Sequence, residues 1–323
     1  PTLFLSFMSL WCRWIKALGL DSQHGALIRR QQTPRSRYWH EMHYFRACGQ
    51  LVESEVPLPE FQSVSPGEIG SGVQPDLRIV LRSLPGVPLE ERNAGGFRVR
   101  DGVVDFEVAD TVRIRVPYSE RIEVDLLDGK RVREARLFVT GSAFGAWVFQ
   151  SGRIPFHCGM VTQSGRGLAI TGPSGVGKST LTTALVDRGF GFMRDDVVVF
   201  DTIEGGAVRI TPSFPRIKLW QDAADHLAIE TAGLSRLHQD LEKFHVPFSA
   251  DRVVESAALS AVFRLRFDEA CEGVQCRRLA IPEAMLVLRE NIYRPALVPA
   301  LGLETTAVNL IATILQNVPA FDL

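Results

Sequence analysis

A glycine-rich segment between an apolar strand pattern and a helical pattern constrains this chain more than any other feature. It reads ITGPSGVGKSTLTTAL from residue 170 to residue 185, with glycines, a lysine and a serine at the GxxxxGK[ST] spacing. Glycines let the backbone approach a phosphate closely, and the free N–H groups at the start of the following helix attract an anion. The segment therefore predicts a nucleotide phosphate-binding loop rather than a plain glycine-rich turn.

Each residue of the loop has an expected part in holding the phosphates. Lys178 is expected to reach the outer phosphates, and the Ser179 hydroxyl is expected to ligate Mg²⁺. The predicted nucleotide-binding residues are Gly172, Pro173, Ser174, Gly175, Val176, Gly177, Lys178, Ser179 and Thr180.

The segments before the loop predict a small β-rich unit. Period-2 alternation runs from about residue 42 to 130, and Asp101-Gly102 between two apolar runs is a strong hairpin signal. Residues 132–152 change to a helical period with small residues, which predicts a buried helix. We expect three regions: an extension at 1–41, disordered or spurious, a β-rich domain with its linking helix at 42–150, and a phosphate-binding α/β (α+β) domain at 153–323.

An acidic pair follows the loop helix. Asp195 and Asp196 interrupt a strand pattern in GFMRDDVVVFD. One carboxylate could assist a metal and the other could take a proton from an attacking hydroxyl. Because successive side chains of a strand point to opposite faces, the pair must lie at a bend or divide its functions. A solvated strand end is the alternative.

Several basic residues are weaker candidates. His157 lies in an extended segment before the loop, where a core histidine is the simpler interpretation. Cations near a transferring phosphoryl group would stabilise its charge. The candidates for that role are Arg216 and Lys218, and Lys243 and His245 in an expected loop; for each of them a plain surface charge is the alternative.

Composition excludes some classes of protein. The net charge of −1 gives no sign of a nucleic-acid surface. The apolar start of the chain, TLFLSFMSLWC, is too short for a transmembrane segment. Five irregularly spaced cysteines suggest neither a disulfide framework nor a zinc site, so we expect a cytoplasmic protein. The motifs of ABC ATPases, GTPases and eukaryotic-type protein kinases are absent.

The stretch from residue 156 to 200 resembles the catalytic core of the HPr kinase/phosphorylase family. The shared features are a histidine before the loop, GxSGxGKS, an RGF helix end and the acidic pair. The segments YFRACGQLVESEVPLPEF, FPRIKLWQDAADHL and ILQNVPAFDL resemble kinases associated with lasso-peptide and other ribosomal-peptide pathways. The Glu-x-Arg-Gly segment of HPr kinases is not found after the acidic pair.

This resemblance implies a PEP-carboxykinase-like P-loop domain that uses ATP and Mg²⁺. It implies that Asp195 is the general base, that Asp196 joins Ser179 at the metal, and that His157 and Lys178 line the catalytic site. The implied acceptor is a serine of a peptide or small protein, and a homo-oligomer is possible by analogy. Two alternatives stay open: a kinase for a small molecule such as free serine, and a non-catalytic ATP-binding regulatory module.

Overall fold

Alternating apolar residues in the first part of the chain form a mixed β-sheet. The computed structural model describes residues 41–118, 120–202, 207–210, 216–234, 236–238, 241–267 and 273–323. Within these residues the first sheet has the order β3-β1-β2-β4-β8-β7-β6-β5. Its strands are β1 (His43–Ala47), β2 (Gln50–Ser54), β3 (Gln62–Ser63), β4 (Leu77–Leu81), β5 (Arg98–Arg100), β6 (Val103–Val108), β7 (Val112–Tyr118) and β8 (Arg121–Leu126).

The predicted hairpin at Asp101-Gly102 is present. Arg100 pairs with Val103 across the turn, and both turn residues have positive φ, 50° for Asp101 and 77° for Gly102. Two consecutive positive φ values are what a tight two-residue hairpin requires. Most neighbours in this sheet are antiparallel, but β4 pairs parallel to both β2 and β8.

A buried helical segment follows the first sheet, as its sequence period predicts. It consists of α1 (Val132–Phe138), a π-helical stretch at Val139–Ala143, and α2 (Phe144–Gln150). A Cβ added at Gly145 would lie 2.8 Å from the ring of Tyr293, so a small residue is needed there. The small residues thus bring this segment close to a tyrosine that neighbours His157.

The second sheet carries the glycine-rich loop. Its order is β12-β10-β11-β18-β14-β13-β9, and β20 pairs with β18 and β19. Its strands are β9 (Pro155–His157), β10 (Gly159–Gln163), β11 (Arg166–Thr171), β12 (Gly191–Arg194), β13 (Val197–Thr202), β14 (Val208–Ile210), β18 (Ala257–Arg264), β19 (Arg277–Arg278) and β20 (Ala320–Asp322).

Five α-helices follow the buried helical segment in the described part of the chain. They are α3 (Lys178–Asp187), α4 (Gln221–His226), α5 (Ile281–Glu290), α6 (Leu297–Ala300) and α7 (Glu304–Asn317). α3 follows the glycine-rich loop, as the helical pattern of the sequence predicts. No helix of the described ranges is long and apolar enough to cross a membrane.

A three-stranded antiparallel sheet corrects one expectation. It consists of β15 (Arg216–Trp220), β16 (Arg236–His238) and β17 (Leu241–Pro247) in the order β15-β17-β16. Lys243 and His245 were expected in a loop, but they lie in β17. The physical reason is their alternation with the buried residues Phe244 and Val246, which gives the strand one apolar face.

The apolar face of this small sheet joins the core of the second sheet. Ile217, Leu219 and Val246 belong to a buried cluster with Val161 and Ile170. This packing fixes β15 and turns the side chains of its other face towards the acidic pair. The described residues thus form a mixed α/β structure with several sheets and helices, as predicted, whereas the boundary expected between residues 150 and 153 stays a prediction. Residues 1–40 lie outside the described residues.

Candidate active site

The glycine-rich loop joins the end of β11 to the start of α3, where the sequence predicts it. Gly172, Gly175 and Gly177 have φ values of 135°, 83° and 97°. These conformations are costly for residues with a side chain. At Gly172 an added Cβ would also lie 2.5 Å from the carbonyl oxygen of Leu265. The loop therefore needs glycine for its backbone path.

Lys178 folds back over the loop. Its Nζ donates hydrogen bonds to the carbonyl oxygens of Gly172, at 2.9 Å, and Pro173, at 3.0 Å. Burial lowers the pKa of this lysine, although the nearby Asp195 and Asp196 oppose the effect. By contrast, Pro173, Ser174 and Gly175 are exposed at the tip of the loop.

The acidic pair lies at a bend between two strands. β12 ends at Arg194 and β13 begins at Val197, and Asp196 has φ of 80°, in the left-handed region. The bend is one of the two arrangements that the sequence allowed. It directs Asp195 to the loop helix, where the Ser179 hydroxyl lies 3.2 Å from both Oδ1 and Oδ2 of Asp195.

Lys218 holds both members of the pair. Its Nζ donates to Oδ2 of Asp196 at 2.7 Å, and its backbone N–H donates to Oδ2 of Asp195 at 3.3 Å. From the sequence, Lys218 is only one of four basic residues that are candidates for the site. Its pairing to the acidic bend depends on how β15 packs, which no local motif encodes.

His157 lies beside the same cluster. Its Nε2 is 3.5 Å from Oδ1 of Asp196, and its ring lies edge-on to Tyr293 at a centroid distance of 6.3 Å. Desolvation lowers its pKa to about 4, against the attraction of Asp196. The ring is therefore neutral at neutral pH, and its contact with Asp196 is not a salt bridge under those conditions.

The surroundings of the two aspartates separate their pKa values. Burial raises the pKa of Asp195, and the neighbouring charge of Asp196 raises it further. Burial also opposes ionisation of Asp196, but Lys218 and His157 outweigh it and hold its pKa below the ordinary range. Two adjacent carboxyl groups thus differ in their affinity for a proton, which is the arrangement expected of separate chemical roles.

Asn291 is a neighbour of the loop that the sequence did not indicate. It follows α5 directly, and its side-chain oxygen accepts a hydrogen bond from the backbone N–H of Gly172 at 3.1 Å. Its backbone oxygen accepts from the N–H of His157 at 2.7 Å. Asn291 therefore connects the histidine strand to the first residue of the loop.

Of the other predicted cations, Lys243 interacts electrostatically with both aspartates. Its Nζ lies 5.1 Å from the centroid of the Trp220 ring, and burial together with Lys218 lowers its pKa. Arg216 has no ion pair with an aspartate or glutamate of the described residues.

The donor chemistry fits a magnesium-bound nucleotide. Mg²⁺ is usually held by one or two carboxylates together with substrate phosphates. Ser179 and the two aspartates supply donors of this kind next to a glycine loop that a phosphate can approach. No group of three or more His, Cys, Asp or Glu side chains in the described part of the chain is arranged to hold a metal by protein ligands alone.

No protein-family model matches the chain, and no curated protein matches it. Among solved structures it is similar to the HPr(Ser) kinase/phosphatase from Coxiella burnetii, at 19% sequence identity and a TM-score of 0.27. The match covers 39% of this chain and 69% of that chain.

Proposed function

We propose that this chain is an ATP- and Mg²⁺-dependent kinase of the HPr kinase-related type. In this proposal a PEP-carboxykinase-like P-loop domain at 153–323, preceded by the β-rich region at 42–150, transfers the γ-phosphate to a serine hydroxyl. The acceptor is a peptide or small protein. The observation that carries the proposal is the Ser179 hydroxyl at 3.2 Å from both oxygens of Asp195, at the N-terminus of the helix that follows the glycine loop.

The loop and its helix would hold the nucleotide. The free backbone N–H groups within residues 174–180 would bind phosphate oxygens, since Pro173 has no N–H and that of Gly172 is donated to Asn291. Lys178 would place a cation beside the outer phosphates. Ser179 and Asp196 are the proposed protein ligands of Mg²⁺. The bound metal supplies neutralisation of phosphate charge.

Asp195 is the proposed general base. Its raised pKa brings its proton affinity closer to that needed at neutral pH, which improves a carboxylate as an acceptor of the serine proton. Asp196 remains ionised beside Lys218, so it offers a permanent negative charge next to the base. This difference supports the division of roles that the family resemblance implies.

His157 is proposed to line the site as a neutral ring. With its pKa at about 4, it carries no charge at neutral pH, and its Nε2 lies 3.5 Å from Oδ1 of Asp196. It would orient that carboxylate and would not itself act as an acid.

A transfer assay with labelled ATP tests the proposal and its alternatives. Separate arms offer HPr, a panel of peptides that contain serine, and free serine, and the product is mapped by mass spectrometry. Label on a peptide or protein serine supports the proposal, whereas label on free serine alone would make the chain a small-molecule kinase. Tight ATP binding without transfer in any arm would leave a regulatory module.

The metal assignment has its own measurement. Asp196→Asn should raise the Mg²⁺ concentration that gives half-maximal transfer, because a proposed metal ligand is lost. Asp195→Asn should lower the maximal rate and leave that concentration nearly unchanged. The reverse pattern would exchange the roles of the two aspartates.

A further inference from the structure

The face of the three-stranded sheet opposite to its apolar face is strongly basic. Lys218 pairs with His245 across β15 and β17, and Trp220 pairs with Lys243. Arg216 lies two residues before Lys218, so it shares the face of Lys218. The residues between them, Ile217 and Leu219, are buried on the other side.

His245 lies at the centre of this basic region. It is buried, and its pKa is lowered to about 3, first by desolvation and then by the charges of four cations. Those cations are Lys218, Arg216, Arg136 and Lys243. The ring is therefore neutral, and positive charges surround it.

The region continues from the acidic pair to helix α1. A narrow recess there is lined by residues that include Arg133, Arg136, Arg216 and His245. We call the group Arg133, Arg136, Arg216, Arg236 and His245 the cationic recess. It begins next to the residues that hold Asp196 and ends at the helix that follows the first sheet.

Nearby acids balance only part of this charge. Glu60 also lines the recess and pairs with Arg136 at 3.2 Å, and Asp196 pairs with Lys218 at 2.7 Å. In the described part of the chain, Arg133 and Arg216 have no ion pair with an acidic side chain. Cations that are drawn together and partly removed from water favour the binding of an anion.

We infer that the cationic recess binds carboxylate groups of the acceptor, so that the kinase selects a serine in an acidic peptide segment. This inference rests on the proposed function. Guanidinium groups present paired N–H donors that match a carboxylate. The recess leads away from the acidic pair towards α1, so in this inference the residues that flank the acceptor serine extend along it. It therefore determines specificity for the acceptor rather than affinity for ATP.

Binding of labelled peptides tests the inference without requiring turnover. Fluorescein-labelled peptides carry one serine flanked by glutamates or by glutamines, with both termini blocked. A third peptide has glutamine flanks and a free C-terminal carboxylate, which separates side-chain carboxylates from a terminal one. Anisotropy titrations at two salt concentrations give the Kd values, and a steady-state assay gives the KM for ATP.

We expect a peptide with carboxylates to bind about tenfold more tightly than the blocked glutamine peptide, with an advantage that decreases in high salt. Arg216→Gln should remove most of this advantage without changing the KM for ATP. Arg216→Lys should retain only part of it, because the positive charge remains while the paired N–H donors of the guanidinium are lost. Arg166→Gln removes an exposed arginine at the opposite end of β11 from the loop and serves as the matched control.

Equal affinity for all three peptides would overturn the inference. Equal losses of affinity for the glutamate peptide in Arg216→Gln and Arg166→Gln would also overturn it. Transfer to the blocked glutamine peptide at the same kcat/KM as to the glutamate peptide would overturn it while the kinase proposal stands. A carboxylate preference in binding, with no phosphate transfer to any acceptor, would contradict the kinase proposal and leave the anion-binding recess intact.

Discussion

The ammonium of Lys218 lies 2.7 Å from Oδ2 of Asp196, and the backbone N–H of the same residue donates to Asp195. One residue of β15 therefore holds both carboxyl groups of the acidic bend. A cation next to a buried carboxylate favours its ionised form. This pairing explains why Asp196 stays ionised although the pKa of the neighbouring Asp195 is raised.

Removal of the ammonium should change the pH dependence of transfer. In Lys218→Met the pKa of Asp196 rises, so the acid limb of the kcat profile moves to higher pH, and kcat falls by roughly 100-fold. Lys218→Arg keeps a cation and should restore much of the activity. Lys130→Met, at an exposed position, is the control. An acid limb that is the same in Lys218→Met and the wild type would contradict this account.

Asp195→Asn should increase stability while it abolishes catalysis. The pKa of Asp195 is raised in the folded state. As pH rises above the ordinary value of 3.8, the unfolded chain therefore releases this proton while the folded chain still holds it. The wild type therefore loses stability across that window, and asparagine avoids this loss. At neutral pH we expect a Tm higher by a few degrees. The gain should vanish at pH values below 3.8, where Asp195 is protonated in both states.

Thermal unfolding followed by circular dichroism at several pH values measures this difference. A Tm for Asp195→Asn below that of the wild type at neutral pH would show that the ionised carboxylate stabilises the fold, contrary to the argument.

The fold should keep His157 neutral well below its ordinary pKa. NMR titration of the ring protons should give a midpoint at about 4 instead of 6.5. Between these two values the unfolded chain binds a proton that the folded chain does not, so stability falls as pH falls through this window. His157→Gln should lose less unfolding free energy than the wild type from pH 6.5 to pH 4. A ring that titrates near 6.5 would refute the neutral role.

Gly172→Ala should damage the loop. The backbone conformation at φ of 135° costs a residue with a side chain roughly 1–3 kcal/mol, and the new Cβ would contact the carbonyl of Leu265. We expect a lower Tm and a loss of ATP affinity of tenfold or more by calorimetry, on the order of 1.4 kcal/mol. Gly129→Ala has no neighbour within 4 Å and should bind ATP normally. Equal ATP affinity in the two variants would contradict the loop assignment.

Much of the fold follows from local patterns. Adjacent residues encode the alternation of apolar and polar side chains in β6 and β7. They also encode the positive-φ hairpin at Asp101-Gly102 and the bounds of α5 and α7. β17 was missed because its charged residues and its terminal proline resemble a loop. Its alternation of Lys243 and His245 with Phe244 and Val246 was the signal for a strand. The pairing order of the sheets depends on distant contacts, which a single sequence does not specify.

Only part of the candidate site could likewise be predicted from local sequence patterns. The loop residues and the bend at Asp195 and Asp196 are local motifs, so their positions could be predicted. The contacts of Lys218 and Asn291 could not, because each comes from a separate element that meets the loop only after folding. The buried Arg194, which contacts Cys48 of the first sheet, is a further long-range contact of this kind. The roles assigned to these residues remain predictions.

The most direct test is single-turnover transfer from γ-labelled ATP to an acceptor serine in the wild type, Asp195→Asn and Asp201→Asn. Asp201 lies near the end of β13, the strand that begins directly after the acidic pair, and its replacement controls for the loss of one carboxylate in that strand. The account predicts transfer by the wild type and by Asp201→Asn, and a rate lower by roughly 100-fold or more in Asp195→Asn at unchanged ATP affinity. Undiminished transfer by Asp195→Asn would contradict the proposal that Asp195 is the base of a kinase.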